Sequence, residues 1–266
     1  VTQISHEVPL QLLDISRSFN DYDYCLVHLL NDYPKYSEFF KDSLKMGRRV
    51  ILDNSVFELG EAFNSDLFAL KILELKPTEY IVPDVFGDAE KTIENYKKWN
   101  ENYGNLPGKK IGVVQGKNFE DLTVCYNFMH SKADKIAINF IQDYYLVHGT
   151  GDNIWQKYAS GRHYFLTEME KLGILRFTKP HHALGTALPN EFMTSDIYRK
   201  FDTIDTSNPI VQGLLGIKYS WPTLTIDKDP TKMVELFEHQ FSLEQIETAV
   251  HNVRLFRKMF NNKENI

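Results

Sequence analysis

Two cysteines among 266 residues, Cys25 and Cys125, are too few for a disulfide framework, and both lie in apolar runs as reduced core thiols do. The chain also lacks a basic excess. Its 30 Lys and Arg stand against 36 Asp and Glu, a formal charge of −6. Coating nucleic acid non-specifically needs a basic face, so only a local basic patch is left open. No apolar run approaches the roughly 20 residues of a membrane span, and no membrane partner is expected. Val1 to His6 lack the basic and apolar regions of a secretory signal, which makes a cytoplasmic location the expectation. The chain opens on Val1 rather than methionine, so residues are expected ahead of it. There is no low-complexity tract, internal repeat or domain boundary. With 42% hydrophobic and 25% charged residues, 1–266 reads as one α/β domain with a sizeable core.

What is present is an alternation of short apolar runs with amphipathic ones. Tyr24 to Leu30 is continuous and apolar, as expected of a parallel strand buried on both faces, and a helix from about Pro34 to Lys45 follows. Strands are expected at Arg48 to Leu52, Tyr80 to Val82, Lys110 to Gln115, Lys135 to Phe140, His181 to Gly185 and the run reaching Asp205. Helical spacing recurs at Leu67 to Leu75, Asp88 to about Tyr103, after an N-cap at Asn118, up to Leu172, and near Pro189 to Tyr198. Ser242-Leu-Glu-Gln245 is a capping box opening a last helix to about Phe260. About seven strands in strand–helix units predict a parallel sheet, and polar groups at so many strand ends favour a closed (β/α)8 barrel of the TIM type. Gly213 to Ser220 is the candidate eighth strand. Gln142 to about Gly161 breaks the pattern and reads as an irregular loop, either a substrate lid or a plain insertion.

In such a barrel the ends of the strands carry the chemistry. Five strand ends offer polar groups: Asp53, Asp84, Gln115, the Asn139-Phe140 backbone and Asp205. Taken alone, Asp205-Thr-Ser-Asn-Pro209 reads first as a turn that caps the next helix. Taken together, these residues suit a purine and its glycosidic bond. One carboxylate can accept two N–H groups of guanine, an amide can donate to O6, another carboxylate can form an ester with C1′, and a third can move protons. Several other features have plainer readings. Asp88 is an N-cap, Asp202 is structural, His148-Gly-Thr-Gly-Asp152 lacks the lysine and spacing of a phosphate loop, and His181-His182 face opposite sides of a strand and make a poor chelate.

Ile111-Gly-Val-Val-Gln-Gly-Lys-Asn-Phe-Glu-Asp-Leu122 resembles the Gly-Ile-Val-Gln-Gly…Glu-Asp-Leu signature of tRNA-guanine transglycosylases, zinc-containing TIM barrels that exchange guanine for a 7-deazaguanine. Other landmarks follow in that family's order. Leu52-Asp53-Asn-Ser-Val-Phe57 is similar to Asp-Ser-Gly-Gly-Phe, Val82-Pro-Asp84 to Ala-Phe-Asp, and Ala137-Ile-Asn-Phe140 to Ala-Ile-Gly-Gly. Leu184 to Phe192 is similar to Gly-Val-Gly-Thr-Pro-Glu-Asp-Leu with two residues added, and Asp202-Thr-Ile-Asp205 to Asp-Met-Phe-Asp. The resemblance spans roughly Val50 to Asn208. It implies Asp205 as nucleophile and Asp53 as general acid/base. It also implies that Asp84, Gln115, Gly116, Asn139 and Phe140 hold the base.

Three departures qualify it. The paired glycines are replaced by Ser55-Val56 and Asn139-Phe140, the chain is short, and no counterpart exists of the zinc site that follows the nucleophile, since no cysteine lies beyond Cys125. No metal or other cofactor is therefore expected. This combination resembles the DNA-acting branch, the DNA 7-deazaguanine transglycosylases of phages and bacteria, and implies DNA and a 7-deazaguanine base as partners, with tRNA as the alternative. Lys117, Arg162, Lys179 and Lys218 are the candidate phosphate contacts, and Tyr144, Tyr145 and Trp155 either stack on an opened strand or pack in the barrel wall. A base-releasing N-glycosidase and a non-catalytic nucleic-acid-binding barrel remain as rivals.

Overall fold

Short runs of β-branched and other apolar residues alternate with amphipathic segments, and the chain uses this alternation to build one parallel sheet. A computed structural model describes residues 1–193, 196–220 and 228–261. Its strands are β1 (Gln3–Ser5), β2 (Asp23–Leu26), β3 (Val50–Asp53), β4 (Glu79–Ile81), β5 (Lys109–Val114), β6 (Lys135–Ile138), β7 (His181–Ala183) and β8 (Thr203–Asp205). They lie in the order β1-β8-β7-β6-β5-β4-β3-β2, every adjacent pair parallel. The sheet is thus curled into a nearly closed (β/α)8 barrel of the TIM type.

The seam between β1 and β2 is sealed by side chains and by one backbone bond, from the Asp21 amide to the Ile4 carbonyl at 3.0 Å, in place of a strand ladder. Asn20 accepts from the His6 amide at 2.7 Å and donates to the His6 carbonyl at 2.9 Å, while Asp21 accepts from the Ile4 amide at 2.8 Å. These contacts satisfy edge groups that burial would otherwise leave unpaired.

The longer helices are α1 (Pro34–Lys45), α2 (Ser65–Leu75), α3 (Ala89–Tyr103), α4 (Phe119–Lys132), α5 (Ile154–Lys171), α6 (Asn208–Leu214) and α7 (Leu243–Asn261). Asn64, Asp88, Asn118 and Asn153 each accept from a first-turn amide of the helix that follows, so the expected caps at Asp88 and Asn118 are in place. The capping box at Ser242 and Gln245 forms as well. Outward-facing strand residues meet this helical layer in aromatic clusters such as Phe68, Tyr80 and Trp99.

Two expectations are corrected. Gly213 to Ser220 is not the eighth strand: α6 runs through Gly213, and residues 215–220 form no strand. A Cβ on Gly213 would collide with the backbone of Ala249, so this glycine serves a close helix–helix contact. The missing strand is β1, whose Gln-Ile-Ser is too short and too polar to announce itself. The stretch 142–161 is not irregular either. It forms a short helix, Asp143–His148, and the first half of α5. Tyr144 and Tyr145 are buried there, packing on Phe165, and so belong to the wall. The helix expected near Pro189 to Tyr198 appears as Asn190–Met193 and a 3-10 turn, Asp196–Lys200, with residues 194–195 outside the described set.

The amino-terminal end of the barrel is closed by charge. The Lys135 ammonium donates to Glu79 at 2.7 Å and to Thr203 at 2.9 Å, and lies 2.8 Å from Asp202. Arg49 meets Glu79 at 2.6 Å and Asp202 at 2.5 Å, and donates to Gln3 at 2.7 Å. Burial works against the ionised form of Asp202, but hydrogen bonds and charge from Arg49 and Lys135 outweigh it and hold this carboxyl down at about 2. Asp202 is thus structural and stands at the end of the barrel opposite Asp205. Removing one partner of such a network leaves buried charge uncompensated. Lys135→Met should lower the unfolding free energy by about 3 to 5 kcal/mol, whereas Lys98→Met, which breaks an exposed pair with Glu94, should leave the denaturation midpoint in place. Equal midpoints for the two variants in chemical denaturation would contradict this account.

Candidate active site

At the carboxyl-terminal end of the barrel, a cleft is lined by Asp53, Asp84, Asn139, Phe140 and Asp205, together with residues the sequence did not single out. Topology explains the convergence. Asp53 and Asp205 end β3 and β8, Asp84 follows β4 by a short turn, and Asn139 directly follows β6. Five of the seven expected catalytic and base-binding residues therefore share one cleft. Gln115 and Gly116 are not in its lining.

Gln115 stands behind Asp84. Its side-chain amide donates to Asp84 Oδ2 at 2.7 Å, while its Oε1 accepts from the Gly87 amide at 3.0 Å and from Gln142 at 2.8 Å. The direct donor to a base expected from the sequence is therefore committed to holding a carboxylate. Asn54 holds the other oxygen, donating to Asp84 Oδ1 at 2.8 Å and to the Val82 carbonyl at 3.2 Å. Even with these donors, burial keeps the Asp84 carboxyl above its ordinary range. Gly116 acts through close packing: a Cβ there would sit 2.7 Å from the Leu122 amide, in the first turn of α4.

After Asp53 the backbone turns through Ser55 at φ 61°, a left-handed conformation uncommon for a residue with a Cβ. Asn54 Oδ1 accepts from the Val56 amide at 3.0 Å and supports this turn. Backbone strain of this kind collects at functional sites. Asp53 itself is only 9% exposed. Burial pushes its carboxyl well above the usual range, and the neighbouring Glu58, Asp205 and Asp84 push it further.

Asp205 is met by N–H groups. The Gly185 amide lies 3.1 Å from Oδ1 and 3.2 Å from Oδ2, and His182 Nε2 stands 2.9 Å from Oδ1. Gly185 turns at φ 59°, which favours glycine and brings its amide under the carboxylate. The side chains of His181 and His182 do face opposite ways, as alternation requires. His181 contacts Tyr126 and the Lys179 carbonyl outside the barrel, whereas His182 stacks on Tyr24 inside it. Among the described residues no cluster of three or more metal-ligating side chains occurs.

Phe140 and Trp155 form an aromatic wall, their rings 12° from parallel with centroids 6.5 Å apart. Trp155 thus lines the cleft while Tyr144 and Tyr145 do not. Three ionisable residues in the lining escaped the sequence reading: Glu7, Glu58 and Lys228. Glu7 lies just past β1, the strand that went unrecognised. Glu58 sits in the turn after Asp53, one residue beyond the recognised motif. Lys228 has no sequence signal, and its ammonium stands 4.9 Å from the Trp155 ring centre. Burial raises the Glu7 carboxyl well above its ordinary range, and the nearby Glu58, Asp205 and Asp53 carboxyls act in the same direction.

The expected phosphate contacts separate into two groups. Lys117 and Lys218 are exposed. Arg162 is wholly buried, paired with Glu191 at 2.5 Å and donating to the Leu184 carbonyl at 2.5 Å, so it cannot reach a phosphate. Lys179 lies before β7, at the end of the barrel away from the cleft, where it donates to the Ala133 carbonyl at 2.7 Å. Both are structural.

No known family profile matches the chain, and no curated protein matches it.

Burial also lifts Glu58, to about 7 from an ordinary 4.5. The folded chain therefore keeps a proton that the unfolded chain gives up. Stability from this group is whole below pH 4.5 and is lost as the pH rises to 7. Glu58→Gln should melt with the wild type near pH 4 and at a higher temperature than the wild type near pH 8. An equal offset at both pH values would show that Glu58 does not titrate in this window.

Proposed function

We propose that this chain is a guanine transglycosylase that exchanges a guanine in nucleic acid, DNA by preference, for a 7-deazaguanine through a covalent aspartyl-sugar intermediate. One observation carries the reading: three carboxyl groups with different surroundings converge on one cleft at the strand ends. Asp205 is met by N–H donors, Asp53 is buried among carboxyls that push its own upward, and Asp84 is locked in place by two amides. Division of labour between environments is how one site runs nucleophilic and acid–base chemistry together.

In this reading Asp205 bonds to C1′ as the C1′–N9 bond breaks, and the bonding pair leaves on the guanine. Asp53 gives its proton to the departing base. The incoming base returns a proton to Asp53 as its own nitrogen attacks C1′ and releases Asp205, so atoms and charge balance over the cycle. Asp84 accepts from the N1–H and 2-amino groups of either base, with Phe140 and Trp155 as apolar faces for the ring. A base within a duplex is out of reach of a cleft this deep, so it must be flipped out or presented single-stranded. Among the described residues lining the cleft, Lys228 is the only cation. That suits a site built to take one extruded nucleoside. The preference for DNA rests on the resemblance to the DNA-acting branch.

Asp205→Asn should abolish exchange of labelled guanine into duplex DNA while leaving the melting temperature near that of wild type, because a neutral amide cannot form the sugar ester. Exchange near the wild-type rate would remove Asp205 as nucleophile. Uptake into tRNA alone, with duplex and single-stranded DNA inert, would transfer the chemistry to the tRNA branch. Guanine release without uptake would mark a hydrolase.

A further inference from the structure

A row of close polar contacts runs up the inside of the barrel from its charged floor to the proposed nucleophile. Lys135 has only N–H groups to give, and one goes to Thr203 Oγ1 at 2.9 Å. Thr203 Oγ1 also lies 2.8 Å from His182 Nδ1, and His182 Nε2 lies 2.9 Å from Asp205 Oδ1. All three residues are buried: Lys135 is 1% exposed, and Thr203 and His182 are 0%.

Donor and acceptor accounting sets the direction of this row. Thr203 Oγ1 accepts from Lys135 and keeps one proton of its own to donate. A carboxylate oxygen accepts only, so the nitrogen facing it must carry hydrogen. In a neutral imidazole the other nitrogen is then an acceptor, which is what the Thr203 hydroxyl requires. Burial disfavours the charged ring, and the nearby Asp205 does not fully offset it. Tyr24, stacked 5.9 Å away, flanks the ring without supplying a charge.

We infer that His182 is a positioning residue for Asp205, held as the Nε2–H tautomer by the Lys135–Thr203 pair so that it fixes Oδ1 and leaves Oδ2 to attack. Among the described residues, Oδ1 has two N–H neighbours, Gly185 at 3.1 Å and His182 at 2.9 Å, while Oδ2 has Gly185 alone at 3.2 Å. As the Oδ2–C1′ bond forms and the base departs with the bonding pair, Oδ1 becomes the ester carbonyl oxygen and stays beside the His182 N–H. No proton passes through His182 in this step. The choice of attacking oxygen rests on the transglycosylase reading; the tautomer does not.

The test uses the intact protein in two measurements. Nitrogen NMR of ¹⁵N-histidine-labelled protein, with the His182 signals identified by their loss in His182→Gln, should show a neutral Nε2–H ring in the wild type. Thr203→Val, which removes the donor to Nδ1 at nearly constant volume, should weaken that bias. A cationic His182 or an Nδ1–H ring in the wild type would overturn the inference whatever the protein catalyses. Exchange of labelled guanine into duplex DNA supplies the second readout. His182→Leu should slow turnover by roughly 10- to 100-fold, as for one lost polar contact to a charged group, with the KM for guanine unchanged. His182→Gln, which can still offer an N–H near the Nε2 position, should recover much of that loss. A His182→Leu enzyme with wild-type turnover would overturn the positioning role. Failure of the wild type to exchange any base would instead count against the transglycosylase reading, with the tautomer still decided by NMR.

Discussion

The Lys135 ammonium sits inside the barrel with acceptors at Glu79, Asp202 and Thr203, and much of the architecture depends on it being satisfied there. Glu79 starts β4, Lys135 starts β6, and Asp202 and Thr203 begin the β8 segment, while Arg49 and Gln3 tie the same carboxylates to β3 and β1. A one-residue slip of any of these strands would turn its charged side chain out of the barrel and leave its partners buried without compensation. The network therefore ties register to electrostatics at the floor. Through Thr203 and His182 the same network reaches the residue proposed as nucleophile at the mouth.

At the mouth the dominant physical fact is crowding of acids. Glu7, Asp53, Glu58, Asp84 and Asp205 all line one cleft, with Lys228 as the cation among the described lining residues. Burial raises Glu7, Asp53, Glu58 and Asp84, and the carboxylates reinforce one another at Glu7 and Asp53. Such a site disfavours anions near its depth and favours ligands rich in N–H donors, as a guanine edge is. Any phosphate contact falls to the rim, where Lys117 remains exposed and Arg162 does not.

The barrel was legible because parallel strands buried on both faces leave continuous apolar runs, and seven of the eight could be placed from them. β1 was hidden because its three residues divide between the floor, the helical layer and the interior. The candidate site was legible where a side chain both sits at a strand end and faces inward, as Asp53, Asp84 and Asp205 do. It was less legible where the chain alone cannot say which way an amide faces: Gln115 supports Asp84, and Asn54, to which the sequence reading gave no role, does the same from the other side. Ser55 shows the same limit from the backbone. It adopts the left-handed turn for which a glycine would be the ordinary choice. Arg162 and Lys179 were misplaced because charge in a sequence carries no record of burial.

The central claim is that Asp205 carries the sugar during base exchange. It is tested most directly by mixing the protein with guanine-containing duplex DNA in the absence of an incoming base, quenching in acid, and digesting the covalent product for mass spectrometry. The account predicts a deoxyribose adduct on the peptide containing Asp205, lost when labelled guanine is added before the quench. An adduct mapped to Asp53 or Glu7, or base exchange proceeding with no protein-bound sugar at any time point, would contradict it.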